Sequence, residues 1–228
     1  MMPGQNRLPT RRRVIGGCLS ALAATTLLTG CNQVMLLGYL IGGPPSIEPD
    51  FDAETGLSLD LPDVTVAVVC YAPSDLKMEQ PKLDTEVATH VAYRLAQNNI
   101  QVVNPDRIHA WIDEHPDWDH PEEIGEAFNA DYVIEIELAT FGLYEHNSTE
   151  LLRGRTETHV NVFEMDEFGR GDRIYTNVID NEYPTEVPRS IYEQSVTAFR
   201  AEYLSQLSQA IGWMFYPRYS GDKVGWAT

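Results

Sequence analysis

One segment of the sequence concentrates side-chain types that bind metal ions in proteins. It runs from Asp113 to His120 and contains two histidines and four carboxylates. His109 lies four residues before Asp113, so on a helix these two side chains share a face. Together with His120 they could supply imidazole and carboxylate ligands. Their order matches no familiar ligand spacing. We therefore expect a solvated acidic loop between two helices, with no metal and no cofactor.

A second group of titratable side chains falls on predicted strands. Glu135 and Glu137 alternate with apolar residues, and Glu157 and His159 have the same spacing further along the chain. Alternate residues of a strand share a face, so these four side chains are expected on the polar side of a sheet. Carboxylates beside a histidine can transfer protons, which keeps a metal- or carboxylate-dependent enzyme as the alternative hypothesis. We favour a solvent-facing surface that docks a protein partner.

Cys31 is the third candidate for chemistry. It ends the sequence Leu-Thr-Gly-Cys after an apolar stretch, Val14–Gly30, which follows a cluster of arginines. A basic stretch, an apolar stretch and small residues at a cleavage point are typical of a secretory signal peptide. A cysteine directly after that point resembles a bacterial lipobox, which implies cleavage before Cys31 and acylation of Cys31. Two or three acyl chains anchor a protein stably in a membrane.

The export signal leaves alternatives open. An uncleaved membrane helix is one, although Val14–Gly30 is short for a span and has glycine and threonine near its end. Export by the twin-arginine route is another, because consecutive arginines precede the apolar stretch. Asn32 stands where some bacteria use aspartate to retain lipoproteins at the inner membrane. We therefore expect a lipid-anchored protein of the bacterial cell envelope, on the periplasmic face of the outer membrane.

Charge and cysteine content exclude several classes of function. The chain of 228 residues has a net charge of −18, and removal of the four arginines in residues 1–30 makes it −22. So acidic a surface repels nucleic acid, which we exclude as a partner. Outside the signal and the lipobox the one cysteine is Cys70, in an apolar strand, where we expect a buried thiol. No phosphate-binding loop, serine elbow or cysteine–histidine pair appears in the sequence. We therefore predict a protein that is not an enzyme.

The remaining residues predict an α/β (α+β) domain with one mixed sheet. The predicted regions are a signal peptide (1–30), a lipidated N-terminus and extended tether (31–62), the domain (63–216) and a tail (217–228). The predicted elements are strand Val64–Tyr71, helix 82–98, strand Ile100–Val103, helices ending near Glu114 and beginning at Pro121, strands Tyr132–Leu143, Leu152–Met165 and Arg173–Asp180, and helix Arg189–Phe215. The order β-α-β-α-α-β-β-β-α predicts a parallel βαβ half and an antiparallel meander half.

Apolar periodicity also predicts the core. Leu83, Val87, Val91 and Leu95 recur every four residues, as on an amphipathic helix. The predicted core side chains are Val66, Val68, Leu95, Ile134, Ile136 and Phe199. Two other positions have expected scaffold roles. Gly125 allows a helix to approach a strand closely, and Asp131 can accept hydrogen bonds from exposed backbone amides.

The element order, with a lipobox before it, resembles the periplasmic domain of the curli-secretion lipoprotein CsgG. It also resembles the lipoprotein activators of penicillin-binding proteins and the N-terminal domain of TolB. The residues that carry the resemblance are Val66–Val68, Val87–Leu95, Ile100–Val103, Ile124-Gly125 and Ala130–Ile134. The resemblance implies a non-enzymatic interaction module in cell-envelope assembly or secretion. Its partners would be the membrane, through the lipid anchor, and an unidentified envelope protein.

Overall fold

The computed structural model describes residues 46–219, so the predicted signal peptide, Cys31 and the start of the predicted tether lie outside the described residues. In chain order the elements are β1 (Ser46–Ile47), α1 (Asp50–Thr55), β2 (Thr65–Tyr71), α2 (Ser74–Glu79), α3 (Leu83–Gln97), β3 (Gln101–Val102), α4 (Pro105–Glu114), α5 (Pro121–Phe128), β4 (Tyr132–Leu138), β5 (Gly142–Tyr144), β6 (Leu151–Met165), β7 (Gly171–Tyr183), β8 (Arg189–Ser190), α6 (Val196–Gly212) and β9 (Arg218–Tyr219).

Seven of these strands form one mixed sheet, which confirms the predicted α+β fold. β2 lies between β3 and β4 and runs parallel to both. The 15-residue strand β6 joins the antiparallel half, pairing with β4 and β5 along one side and with β7 and β8 along the other. β1 and β9 form a separate two-stranded sheet. The order of the parallel strands therefore follows from the crossovers β2 to β3 and β3 to β4. The order of the antiparallel strands follows from their pairing with β6.

Helices α3 and α6 cover one face of the sheet. The predicted stripe of α3, from Leu83 to Leu95, is buried, and α6 adds Phe199, Tyr203, Leu207 and Ile211. The predicted core side chains are all buried, each at 1% exposure or less: Val66, Val68, Leu95, Ile134, Ile136 and Phe199. This face contains the larger of the two hydrophobic clusters. It supplies most of the apolar burial that stabilises the domain.

Helices α4 and α5 cover only part of the opposite face. Ile108 of α4 and Ile124 of α5 pack over Ala67, Val69 and Val133. Further along β4 and β6, the residues that share this face by alternation are polar. The uncovered part of the sheet begins there, and it carries the candidate site.

The predicted tether is wrong over its described part. Instead of an extended chain, the structure has helix α1, and Phe51 and Leu59 are fully buried in the core. Phe51 lies against the rings of Tyr175 and Phe215, at centroid distances of 5.5 and 5.8 Å. The acidic residues around Phe51 led to the prediction that this segment is exposed to solvent. The buried side chains of Phe51 and Leu59, and the hydrogen bond from the Phe51 backbone N–H to the Met214 carbonyl, hold this segment on the domain.

Two predicted element boundaries are also corrected. The strand predicted over Tyr132–Leu143 ends at Leu138, because the Glu157 carbonyl accepts the backbone N–H of both Ala139 and Thr140. The helix predicted to begin at Arg189 begins at Val196. Ser195 is its N-cap and accepts a hydrogen bond from the backbone N–H of Ala198. Arg189–Ser190 instead pairs with the start of β6.

Several predicted scaffold roles are confirmed. Asp131 Oδ2 accepts the backbone N–H of Thr65 at 2.7 Å. A Cβ on Gly125 would lie 2.6 Å from the Met165 sulfur, so the helix does approach β6 closely. Cys70 is a buried free thiol whose pKa is raised well above its usual value by burial. Within residues 46–219, no helix is both long and apolar enough to cross a membrane.

Candidate functional site

The uncovered part of the sheet brings together the four predicted surface residues, Glu135, Glu137, Glu157 and His159, which we call the acidic face. Glu137 lies directly opposite His159, and Glu135 lies opposite Asn161. All of these side chains project from the same side, because they occupy alternate positions of β4 and β6. The sequence prediction that they share a face therefore agrees with the strand register.

Asn161 organises this face, and the sequence analysis missed it. Its side-chain nitrogen donates to Glu135 Oε2 at 2.9 Å and to Glu137 Oε1 at 2.8 Å. Its side-chain oxygen accepts the Thr176 hydroxyl at 3.0 Å, and Asn161 is only 3% exposed. The amide is thus fixed from three strands and holds both carboxylates in place. The sequence did offer one indication of this role: Asn161 lies two residues after His159, so on a strand it shares the face of Glu157 and His159.

His159 takes less part in this network. Its Nε2 is 3.7 Å from Glu157 Oε1, and both side chains are more than 40% exposed. At that distance and exposure the pair adds little to stability. His159 and Glu157 are therefore accessible groups at the open margin of the acidic face.

Glu135 is the perturbed acid of this group. Burial raises its pKa above the usual value, the Asn161 hydrogen bond opposes that rise, and the nearby Glu137 charge adds to it. A carboxyl group with a raised pKa retains its proton at a higher pH than an exposed one.

Two hollows adjoin the acidic face at the carboxyl end of β2. Glu135 and Glu137 line one, of about 520 Å³, and His109 and Asp113 line the other, of about 340 Å³. Tyr71, Lys77 and Trp118 line both. The chain passes from β2 to β3 on one side and then crosses back over β2 to β4 on its other side, and ligands of open α/β sheets bind at such switch points. The tertiary structure therefore places the two predicted clusters side by side.

The smaller hollow is charged and largely closed by neighbouring side chains. Lys77 Nζ forms an ion pair of 2.8 Å with Asp84 Oδ2 near its rim. Burial lowers the pKa of His109, while the negative charges of Asp106, Asp84 and Asp113 oppose that change. His109 and Asp113 do share a helix face, as predicted.

His120 does not join them. It is the N-cap of α5, where its backbone N–H donates to Glu123 Oε1 at 3.1 Å, and its Nε2 lies 3.4 Å from Asp119 Oδ1 on the exposed loop. Across residues 46–219, no three His, Cys, Asp or Glu side chains are grouped to hold a metal ion. His109 and Asp113 thus lack a third protein ligand among the described residues. The donor set does not fit a structural metal centre, which needs four ligands.

A second charged network borders the acidic face and was also missed from the sequence. Arg153 and Arg155 of β6 both form ion pairs with Glu145 and Glu182. The Arg155 hydrogen bond holds the pKa of each of these carboxyls below its usual range. Four residues from β6, β7 and the turn after β5 make the network. It could not be read from spacing, because the partners are distant in sequence.

The fold and the site define a mixed α/β domain with one helix-covered face and one partly open acidic face. No known protein family matches the sequence, and no curated protein matches it. Distant likenesses to solved structures exist. A PelC dodecamer protein from Paraburkholderia phytofirmans is 9% identical, with a TM-score of 0.45, over 75% of this chain and 97% of that one.

Two further solved structures are similar at the same distant level. Lipoprotein GNA1162 from Neisseria meningitidis is 12% identical, with a TM-score of 0.38, over 65% of this chain and 98% of that one. The hypothetical protein CT253 from Chlamydia trachomatis is 13% identical, with a TM-score of 0.39, over 67% of this chain and 96% of that one. No residue role is transferred from these structures. The resemblance to CsgG, the penicillin-binding-protein activators and TolB stays a prediction.

Proposed function

We propose that the chain is a bacterial envelope lipoprotein that binds another envelope protein and catalyses no reaction. It is anchored through acylated Cys31, on the periplasmic face of the outer membrane. The observation that carries the binding role is the fixed pair of carboxylates, Glu135 and Glu137, which Asn161 holds on an open sheet surface. Each gives one oxygen to Asn161, and the two carboxyl groups lie close enough to interact with each other.

Fixed acceptors on an open surface favour binding for a physical reason. A side chain already held in its bound conformation loses less entropy when a partner arrives. The surrounding protein carries a net charge of −18, so it attracts partners with lysine and arginine on their surface and repels acidic ones. The acidic face therefore supports docking of an envelope protein through a basic surface.

The anchor is tested by replacing the acylated cysteine. Cys31→Ser removes the thiol, so the variant should accumulate as an unprocessed or soluble form. Membrane fractionation and mass spectrometry of the mature N-terminus measure this. A variant that still fractionates with membranes at the mature size, without acyl chains, would overturn the lipoprotein proposal.

The docking role is tested by crosslinking in intact envelopes. Glu135→Gln with Glu137→Gln keeps an oxygen for Asn161 but removes both charges, so capture of the partner should fall several-fold. Glu54→Gln with Glu193→Gln is the matched control, because it removes two charges from exposed positions away from the face. Equal loss of capture in both variants would show that only overall charge matters and would contradict the acidic face as the docking site.

The second candidate is a carboxylate- or metal-dependent enzyme of the envelope. The raised pKa of Glu135 beside a hollow of about 520 Å³ favours it, because a general acid needs a raised pKa and an adjoining space for substrate. The purified protein would be assayed for hydrolysis of peptide, ester and glycan substrates and for bound metal. Turnover lost in the Glu135 and Glu137 variant, or stoichiometric metal lost on His109→Ala with Asp113→Ala, with partner capture intact, would replace the binding proposal with this one.

A further inference from the structure

The outer edge of β7 is a long strand edge without a partner among the described residues. Gly171–Tyr183 pairs with β6 along one side, and no strand of residues 46–219 pairs with its other side. A free edge presents backbone N–H and C=O groups that can pair with another chain. Proteins commonly protect such edges with proline, lysine or very short strands. β7 has 13 residues and contains neither proline nor lysine, and its one bulge, at Ile174, lies before the stretch Asn177–Glu182.

A hollow of about 700 Å³ follows this edge. It is lined by six consecutive residues of β7, from Asn177 to Glu182. Successive residues of a strand point to opposite faces. A hollow that touches all six therefore runs along the edge of the sheet and not under one face. Six residues of a strand extend over about 20 Å, enough for one added strand of ordinary length.

The two sides of this hollow have different chemistry. On the helix-covered side, the end of α6 lines it with Ala210, Trp213 and Met214. On the opposite side of β7 lie Val178, which is 49% exposed, and Asp180, which is also exposed. Asp50 and Glu182 also line it, so its three acids outnumber its one base, Arg218. A strand placed here would meet apolar side chains on one face and an acid on the other.

We propose that an extended segment of another protein adds to the free edge of β7 as an eighth strand of the main sheet. Its backbone pairs with β7, its apolar side chains lie toward Ala210 and Met214, and its alternate basic side chains lie toward Asp180. Such strand addition draws affinity from main-chain hydrogen bonds and specificity from alternate side chains. The edge adjoins the acidic face, because Asp180 pairs directly with Glu157 in the strand register, and it adds a second docking mode.

A second copy of the chain is a poorer occupant of this edge. Two copies would bring together two chains that each have a net charge of −18, and such chains repel each other. Each would also bring Asp180 and Glu182 to an edge that already carries them, and like charges across paired strands are destabilising. A basic segment complements both the negative net charge of the chain and the acids on the β7 edge.

The edge is tested with peptide probes on the full chain in detergent micelles. The probe is a fluorescent ten-residue peptide of alternating valine and lysine, with binding followed by anisotropy. Its controls are the same residues in blocks, an alternating valine–glutamate peptide, and the valine–lysine peptide methylated on alternate backbone nitrogens. We expect the alternating basic peptide to bind at least tenfold more tightly than each control. Equal binding of the methylated peptide would show attraction by charge alone and would overturn strand addition.

The position is tested with hydrogen exchange and paired variants. Bound peptide should slow amide exchange in Gly171–Tyr183, and Asp180→Lys should weaken binding at least tenfold. Asp117→Lys makes the same charge change on the exposed loop beside the acidic face and should have little effect. An equal effect of Asp117→Lys, or protection elsewhere, would place the peptide on another surface and overturn the proposal.

Two further outcomes would also overturn it. Slow exchange, before any peptide is added, at the β7 amides that do not bond to β6 would show that the chain covers its own edge. Self-association in sedimentation velocity that the peptide inhibits by competition would make a second copy the occupant. Neither outcome affects envelope crosslinking through Glu135 and Glu137, so the failure of this inference can be distinguished from failure of the proposed function.

Discussion

Asn161 on β6 donates a hydrogen bond to Glu135 on the neighbouring strand β4, with 2.9 Å between Asn161 Nδ2 and Glu135 Oε2. The two residues lie directly opposite each other in the strand register. The bond favours the ionised carboxylate, yet burial still raises the pKa of Glu135. The desolvation of this carboxylate therefore outweighs the hydrogen bond that holds it.

The raised pKa of Glu135 predicts a pH-dependent cost in stability. Because the folded-state pKa lies above the unfolded value, the native state binds more protons, and stability falls as pH rises between the two values. Glu135→Gln should thus increase the free energy of unfolding at pH 7, because it removes the charge that burial disfavours. The gain should vanish below the usual pKa of the carboxyl. Urea denaturation at pH 7 and at a pH below the usual carboxyl pKa measures this gain in stability. The exposed substitution Glu193→Gln is the control. A loss of stability at pH 7 would contradict the prediction.

Gly154 should tolerate no side chain. A Cβ there would overlap the ring of Tyr203, which is fully buried and donates its hydroxyl hydrogen bond to Thr156 Oγ1 at 2.7 Å. Gly154→Ala should therefore cost about 1–3 kcal/mol, as overpacking does in other cores. Gly142→Ala is the matched control, because its Cβ would have no atom within 4 Å. Chemical denaturation of both variants measures the difference, and equal stability would show that α6 moves away without cost.

Ile134 tests the central strand of the core. It is fully buried on β4, with β2 paired along one side and β6 along the other. Ile134→Ala should lower the free energy of unfolding by about 2–5 kcal/mol, as large-to-small core changes do. The control is Val187→Ala, at a residue that is 73% exposed. A core variant no less stable than this surface variant would refute the packing.

Phe51 tests whether α1 belongs to the folded domain. Its ring is fully buried against Tyr175 and Phe215. Phe51→Ala should cost about 3–5 kcal/mol, whereas Leu61→Ala, at a 52% exposed residue nearby, should cost little. Thermal or urea unfolding of the two variants provides the comparison. An unchanged midpoint for Phe51→Ala would mean that this segment is a tether after all.

The tertiary structure decided which polar residues form a site. The sequence placed Glu135, Glu137, Glu157 and His159 on one face, since alternation along a strand is local. It missed Asn161 as their common donor, and it missed the ion pairs of Arg153 and Arg155. Those contacts depend on which strands are neighbours and in which register, and a one-residue shift would change every pair.

The sequence by itself determined the features set by residues close together in the chain. The spacing from Leu83 to Leu95 predicted a helix and its buried side, and the turn residues between the later strands predicted the antiparallel half. Residue type also predicted that Asp131 accepts a backbone N–H and that Gly125 allows a close approach, but their partners, Thr65 and Met165, are distant in sequence.

Only the tertiary structure decided the features set by residues far apart. Phe51 looked solvated among acids, but Tyr175 and Phe215, more than a hundred residues later, provide the pocket that buries it. The free edge of β7 exists because β6 is long enough to pair with four strands and leaves nothing described beyond β7. Burial and strand pairing depend on contacts between distant segments, and the energies of these contacts exceed local conformational preferences. A short stretch of sequence does not contain both partners of such a contact, so it cannot predict them.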